Sequence, residues 1–130
     1  MSARRYARSG SPFEDRIGFS RAVRHGPHVA VSGTAPIGAD GKTVGVGDPE
    51  VQAHRCFEII REALAEVDVP LEAVIRTRIY IVKVADWDAI ARVHGAFFGE
   101  IRPASTFVQV KGLLDPEWRV EVEADALVEL

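Results

Sequence analysis

The segment RVEVEADALV, residues 119–128, alternates without a break: Val120, Val122, Ala124 and Ala126 fall on one side of an extended chain, and Glu121, Glu123 and Asp125 on the other. A helix would scatter these residues around its circumference, whereas a period of two separates them into an apolar and an acidic face. Such a strand belongs in a sheet with one side packed and the other side wet or partnered. Its acidic face makes a demand of its own, because carboxylates in a row repel one another unless cations or a partner face them.

AVIRTRIYIV supplies the cations. Ile75, Thr77, Ile79 and Ile81 alternate with Arg76, Arg78, Tyr80 and Val82, again with a period of two. If the two strands are neighbours, arginine–carboxylate pairs relieve the acidic row, each worth about 0.2–1 kcal/mol when exposed. Carried to STFVQV, the same parity puts Ser105, Phe107 and Gln109 on the charged face and turns Thr106, Val108 and Val110 toward the helices. That face is either simply solvated or covered by partner subunits or a ligand.

Helix signals sit between these strands. Asp48-Pro49-Glu50 provides a cap, a proline for the first helical position and an acid at the positive end of the dipole. The stripe Ala53, Cys56, Phe57, Ile60, Leu64 and Val67 then continues until Pro70. Asp86 is expected to cap a second helix with the stripe Ile90, Val93, His94, Phe97, Phe98 and Ile101, ending before Pro103. Ahead of both, IGFSRAV and HVAVSGT read as a hairpin turning at Gly26-Pro27, and GADGKTVGVGD as a loop or a short irregular strand. Two helices on one face of a mostly strand-built layer give an α+β architecture.

A length of 130 residues with 47% hydrophobic content supports one core, so residues 1–130 read as a single domain. Residues 1–12, rich in Arg, Ser and Gly, read as a mobile or loosely docked arm. The formal net charge of -3 gives no basic field for nucleic acid, and no apolar run has the length of a membrane span. The first residues do not resemble a secretory leader, so a cytoplasmic location is expected. Cys56 is the single cysteine and reads as a small buried apolar residue. His25, His28 and His54 lack a metal-ligand spacing, and His94 reads as a residue of the core or of a subunit boundary. No G-x-S-x-G elbow occurs, and GVGDPE lacks the glycine spacing of a nucleotide loop.

The element order, with GFSRAV, VSGTAPI, FFGEIRPAST and VEVEADALV, resembles the Rid family, also called the YjgF/YER057c/UK114 family, over about residues 17–128. The resemblance implies a chorismate-mutase-like fold, a mixed sheet with two helices packed on one face, and a homotrimer with clefts between subunits. The best-known members hydrolyse reactive imines and enamines, such as 2-iminopropanoate, to keto acids and ammonia, with no cofactor and no metal. Their cleft uses an arginine after Pro-Ala to clamp the substrate carboxylate, a serine of a VSG-like segment, a tyrosine of the first strand and a glutamate of the last strand that handles water. Carried onto this chain, the serine is Ser32 and the glutamate is Glu121, while Phe19 holds the tyrosine position without its hydroxyl. Ser105 stands at the arginine position, as in arginine-lacking branches, Thr106 follows it, and Phe107 replaces a common cysteine.

A serine hydroxyl offers one neutral donor where guanidinium offers a charged two-pronged grip. Charge-assisted bonds are worth roughly 1.5–3 kcal/mol each, so weak activity on ordinary 2-imino acids is expected. Arg102 and Arg78 are candidate substitutes for the lost cation, with Arg78 read as a structural partner of the acidic row. Two function classes follow. One is a hydrolase or deaminase of a reactive imine, enamine or related carbonyl metabolite, with Glu121 handling water and Phe19, Ser32, Ser105, Thr106 and Phe107 binding substrate. The other is a non-catalytic trimer that binds a metabolite or a protein partner through the same cleft. Ribonuclease activity or translation inhibition ranks third, against the net acidity and the lack of aromatic-basic repeats.

Overall fold

The alternating segment forms the strand β6, Val120–Leu127, in the middle of a six-stranded sheet. The structure, a computed structural model, describes residues 4–129. Around β6 the chain forms β1 (Arg4–Ala7), α1 (Pro12–Ile17), β2 (Ala22–His25), β3 (His28–Thr34), α2 (Pro49–Glu66), β4 (Val74–Ile81), α3 (Trp87–Phe98) and β5 (Ala104–Gln109). The sheet order is β1-β2-β3-β6-β4-β5. Every neighbouring pair is antiparallel except β4 with β5, which is parallel.

The helices cover one face only. Asp48 caps α2 by accepting from the backbone N–H groups of Glu50 and Val51, each at 3.1 Å, and Pro49 occupies the first turn. Phe57, Ile60 and Leu64 are fully buried over Val120, Val122, Ala124 and Ala126. Each such side chain contributes about 1.5–3 kcal/mol on burial. Cys56 is buried in the same layer, which raises its thiol pKa and leaves it the inert role expected. Among the described residues no helix is long and apolar enough to cross a membrane.

Several expectations are corrected. The described part of the 1–12 segment is ordered: β1 pairs with β2, Ala7 is buried, and the Arg5 guanidinium meets Asp68 at 2.6 Å. Residues 1–3 lie outside the described residues. Ile17 ends a helix instead of starting a strand, because Ser11 caps Pro12–Ile17 and Gly18, at φ 93°, closes it in the left-handed conformation. The strand of that segment begins only at Ala22. The glycine-rich 38–48 region is a loop, one of the two forms expected of it, with one isolated bridge from Thr43 to Ile37.

Asp86 does not cap α3. It already has helical backbone angles at the end of a 3-10 turn, so its carboxylate is turned away and takes two bonds from the Arg119 guanidinium, at 2.6 and 2.8 Å. A bulge opposite β6 between Val74 and Arg76 turns Ile75 outward, leaving it 52% exposed, and Val74 takes the buried place. The parity assigned to β5 is inverted. Thr77 lies beside Ser105 and Ile79 beside Phe107, so Ser105 and Phe107 face the helices while Thr106 and Val108 lie beside Arg78 and Tyr80. Two apolar parities compete in this strand, and the larger ring prevails because it buries more surface beneath α3.

Asp86 is buried and Arg119 largely so, and breaking such a pair leaves one charge stranded. Asp86→Ala is expected to lower unfolding stability by about 3 kcal/mol, read from urea denaturation.

Candidate functional site

The charged face opposite the helices is neutralised unevenly. The registry sets Tyr80 across from Glu121, Arg78 from Glu123 and Arg76 from Asp125. The shorter contacts run diagonally: Arg78 meets Asp125 at 3.0 Å and the Tyr80 hydroxyl donates to Glu123 at 3.0 Å, while Arg78 and Glu123, directly opposite, are 3.8 Å apart. Partial burial and this bond to Glu123 raise the phenol's pKa and keep it a donor. Arg78 is thus the structural partner of the acidic row, and Glu121 is passed over by both groups.

Glu121 turns instead toward β3. The registry of β3 against β6 shifts between Val31 and Thr34, which makes Ser32–Gly33 a bulge. The Glu121 carboxylate lies over Gly33 so closely that a Cβ there would overlap its Oε2. Gly33 therefore provides the seat, and any side chain would displace the carboxylate. Half-burial raises the Glu121 pKa, Arg21 pulls it down and Glu123 pushes it up. The result is a carboxyl that holds its proton more tightly than usual and suits proton exchange with water.

Arg21 is the residue that sequence reasoning missed. Its guanidinium is buried, donates to the Gly33 carbonyl and to the Thr34 hydroxyl at 3.2 Å, and lies 4.0 Å from the buried Glu14. Burial lowers its pKa, with Glu14 and Glu121 pulling upward, and the group remains a cation. Phe19 lies under this cation, 5.4 Å from ring centre to guanidinium carbon. Ser32 completes the cluster, though its hydroxyl proton is engaged by the Ser20 carbonyl at 2.6 Å, which leaves the oxygen as an acceptor. The signal in the sequence was an arginine inside the hydroxyl-flanked, apolar stretch GFSRAV.

The remaining expected residues lie elsewhere. Ser105 and Phe107 are on the helix face at the open edge of the sheet, beside Thr77, His94 and Trp87. Thr106 is exposed on the charged face, and β4 separates it from Glu121. Thr106 lies level with Arg78 and Glu123, so two strand spacings of about 4.8 Å and two residues along β6 put it roughly 12 Å from the Glu121 backbone. Phe19, through Arg21, and Ser32, beside Gly33, thus adjoin the bulge that seats Glu121, whereas Ser105, Thr106 and Phe107 lie outside it. Neither of two surface recesses, of about 400 and 420 Å³, is lined by any of the six expected residues. Among the described residues no three His, Cys, Asp or Glu side chains lie close enough to hold a metal ion.

The sequence model of the family described as Endoribonuclease L-PSP matches residues 12–128. A solved structure from Mycobacterium tuberculosis, Rv2704, described as a member of the YjgF/YER057c/UK114 family, superposes with a TM-score of 0.88 at 40% identity, covering 97% of this chain and 100% of that one. The chain belongs to the YjgF/Rid/UK114 family. Its sheet and helix layer are the chorismate-mutase-like fold of that family. Among curated relatives, an uncharacterized protein of Streptomyces coelicolor is 40% identical over 122 residues, 94% of this chain and 90% of that protein. The 3-aminoacrylate deaminase RutC of Acinetobacter baylyi is 35% identical over 100 residues, 77% of this chain and 79% of that protein. The family thus includes a deaminase of a small unsaturated amine, which is the breadth of activity the relationship carries.

In this Rid-family chain the raised Glu121 pKa has a measurable consequence. The folded state binds more protons than the unfolded chain between the ordinary carboxylate value, about 4.3, and the raised one. The stability from protonated Glu121 is therefore full below the ordinary value and is lost as pH rises through the raised one. Glu121→Gln mimics the protonated form, so its urea midpoint is expected to match wild type in mild acid and to exceed it at neutral pH. A difference that does not change with pH would contradict the raised affinity.

Proposed function

We propose that the protein is a Rid-type hydrolase that deaminates a reactive imine, enamine or related carbonyl metabolite in clefts between the subunits of a homotrimer. The observation that carries this reading is the Glu121 carboxyl, half-buried over Gly33 with raised proton affinity, in a position to take a proton from water and return it. The relationship to 3-aminoacrylate deaminase supports the substrate class. The division of the site supports the cleft. Ser105 and Phe107 face one side of the sheet and Glu121 the other, so a ligand touching both sets must bridge two copies of the chain. The reading needs neither cofactor nor metal and fits a small-molecule enzyme of the cytoplasm.

In this chemistry water adds to the carbon of a C=N bond as Glu121 takes its proton. Arg21 and Phe19 hold the bulge and the wall beside it, and Ser32 offers an acceptor. Ser105 and Thr106 supply neutral hydroxyls where a guanidinium would grip a carboxylate, which favours substrates that do not depend on that grip.

The test supplies purified protein with 3-aminoacrylate and with imines made in place by an amino-acid oxidase, and follows ammonia and carbonyl release. Release is expected above the spontaneous rate, with Glu121→Gln lowering kcat by about a hundredfold, the lower range for loss of a general acid–base group. No acceleration, joined to ligand-induced thermal stabilisation that Glu121→Gln abolishes, would replace the enzyme with a metabolite-binding trimer.

A further inference from the structure

Thr77 is fully buried in β4 in line with Ile79 and Ile81, where a valine would fill the same space with no hydroxyl to satisfy. Its Oγ1 lies 2.9 Å from Nε2 of His94 on α3 and 2.8 Å from Oγ of Ser105 on β5. Thr77 has one proton for two hydrogen bonds, so the three side chains have two arrangements. In the first, Ser105 donates to Thr77, Thr77 donates to a bare Nε2, and Ser105 presents lone pairs outward. In the second, Nε2–H donates to Thr77, Thr77 donates to Ser105, and the Ser105 proton points outward. Passing from the first to the second carries one proton inward, with each hydroxyl giving up one proton and receiving another.

We propose that His94, Thr77 and Ser105 form a proton relay through which the imidazole takes up a proton from a ligand bound at Ser105, on the helix-facing side of the sheet's open edge. The outer end is accessible, because β5 is the edge strand and Ser105 is exposed. The inner end is half-buried among aromatic rings. The His94 ring lies against Phe98 of α3, Phe57 of α2 and Phe107 of β5, with centroids 4.8, 5.6 and 6.0 Å away. The ionisable groups of the surrounding elements point elsewhere: His54 and Arg61 of α2 lie against Phe97, Asp88 and Arg92 of α3 pair with each other, and Arg78 of β4 is on the opposite face. Burial alone lowers the His94 pKa, so at neutral pH the imidazole is uncharged and ready to accept.

The edge also indicates what binds there. Trp87, 49% exposed, sets its ring 6.3 Å from Phe107, so the wall beside Ser105 is aromatic and suits a small uncharged ligand with an O–H or N–H to donate. Resting on the deaminase reading, that ligand is the carbinolamine formed when water adds to an iminium carbon. Its O–H proton passes to Ser105 and on to His94 as the C=O bond forms. The C–N bond breaks with its electron pair going to nitrogen, and Glu121 of a second copy returns to that nitrogen the proton it took from water. Ammonia and the carbonyl compound leave, and His94 gives its proton to solvent.

The relay is tested with Thr77→Val, which keeps the shape and removes the hydroxyl, and with Thr77→Ser, which restores it. In the 3-aminoacrylate and imine assays wild-type kcat is expected to fall as acid protonates His94. Thr77→Val should lower kcat by about a hundredfold and abolish that acid limb with KM unchanged, while Thr77→Ser keeps both. Equal kcat and an equal pH profile in Thr77→Val would overturn the relay and leave deamination standing. If wild type does not turn over, the deaminase reading falls and the relay is judged by NMR exchange of the His94 Nε2 proton with water. Slower exchange in both Thr77→Val and the surface variant Ser105→Ala supports it, and unchanged exchange overturns it.

Discussion

The antiparallel pairing of β4 with β6 sets Ile79 across from Val122 and Tyr80 across from Glu121. A slip of one residue would turn the valines to water and drive three carboxylates into the helix layer, so the apolar side fixes the register. The charged side then has to accept whatever neighbours that register supplies. Arg78 falls between Glu123 and Asp125, and Tyr80 reaches Glu123. Arg78 is 39% exposed in its side chain, and pairs of that exposure are worth about 0–1 kcal/mol, so they matter more for relieving repulsion than for holding the fold.

The same register leaves Glu121 unmatched, and a bulge in the next strand receives it. Ser32 and Gly33 break the β3 ladder where the carboxylate turns over, and the missing side chain of Gly33 is the space it occupies. Arg21 closes the bulge from below, bonded to the Gly33 carbonyl and the Thr34 hydroxyl and balanced by Glu14. Its attraction for Glu121 is real but smaller than the effect of burial, so the net shift is upward. A cation held by backbone and by a second acid supports the site while leaving Glu121 able to exchange protons.

The two faces of the sheet thus carry different chemistry. The open face holds Glu121, Ser32 and the salt-bridged row, and the helix-covered face holds the Ser105–Thr77–His94 chain of hydroxyls and imidazole at its edge. Parallel pairing of β5 with β4 separates them, because it places Ser105 beside the buried Thr77 and Thr106 beside Arg78. Within one chain Glu121 and Ser32 therefore stay apart from Ser105 and Phe107.

Strict alternation made β4 and β6 legible, and the Asp48-Pro49 cap with its stripe made α2 legible, because each pattern is local and each is satisfied by one packed face. Local pattern failed where two local choices were nearly equal. Ser11-Pro12 and Gly18 outweighed the strand character of IGFSRAV, and Asp86 gave up a cap for Arg119, a partner 33 residues away. In β5 both parities carry apolar residues, and only contact with α3 and the registry of β4 chose Phe107 for the inside. Glu121 could be named from its strand, but its raised proton affinity comes from Gly33, Arg21 and Glu123, which meet it through a bulge and a registry. Periodicity reports which side of an element is apolar, whereas the neighbours that tune a charge are set by how elements register against one another, and that is decided only when the sheet closes on its helices.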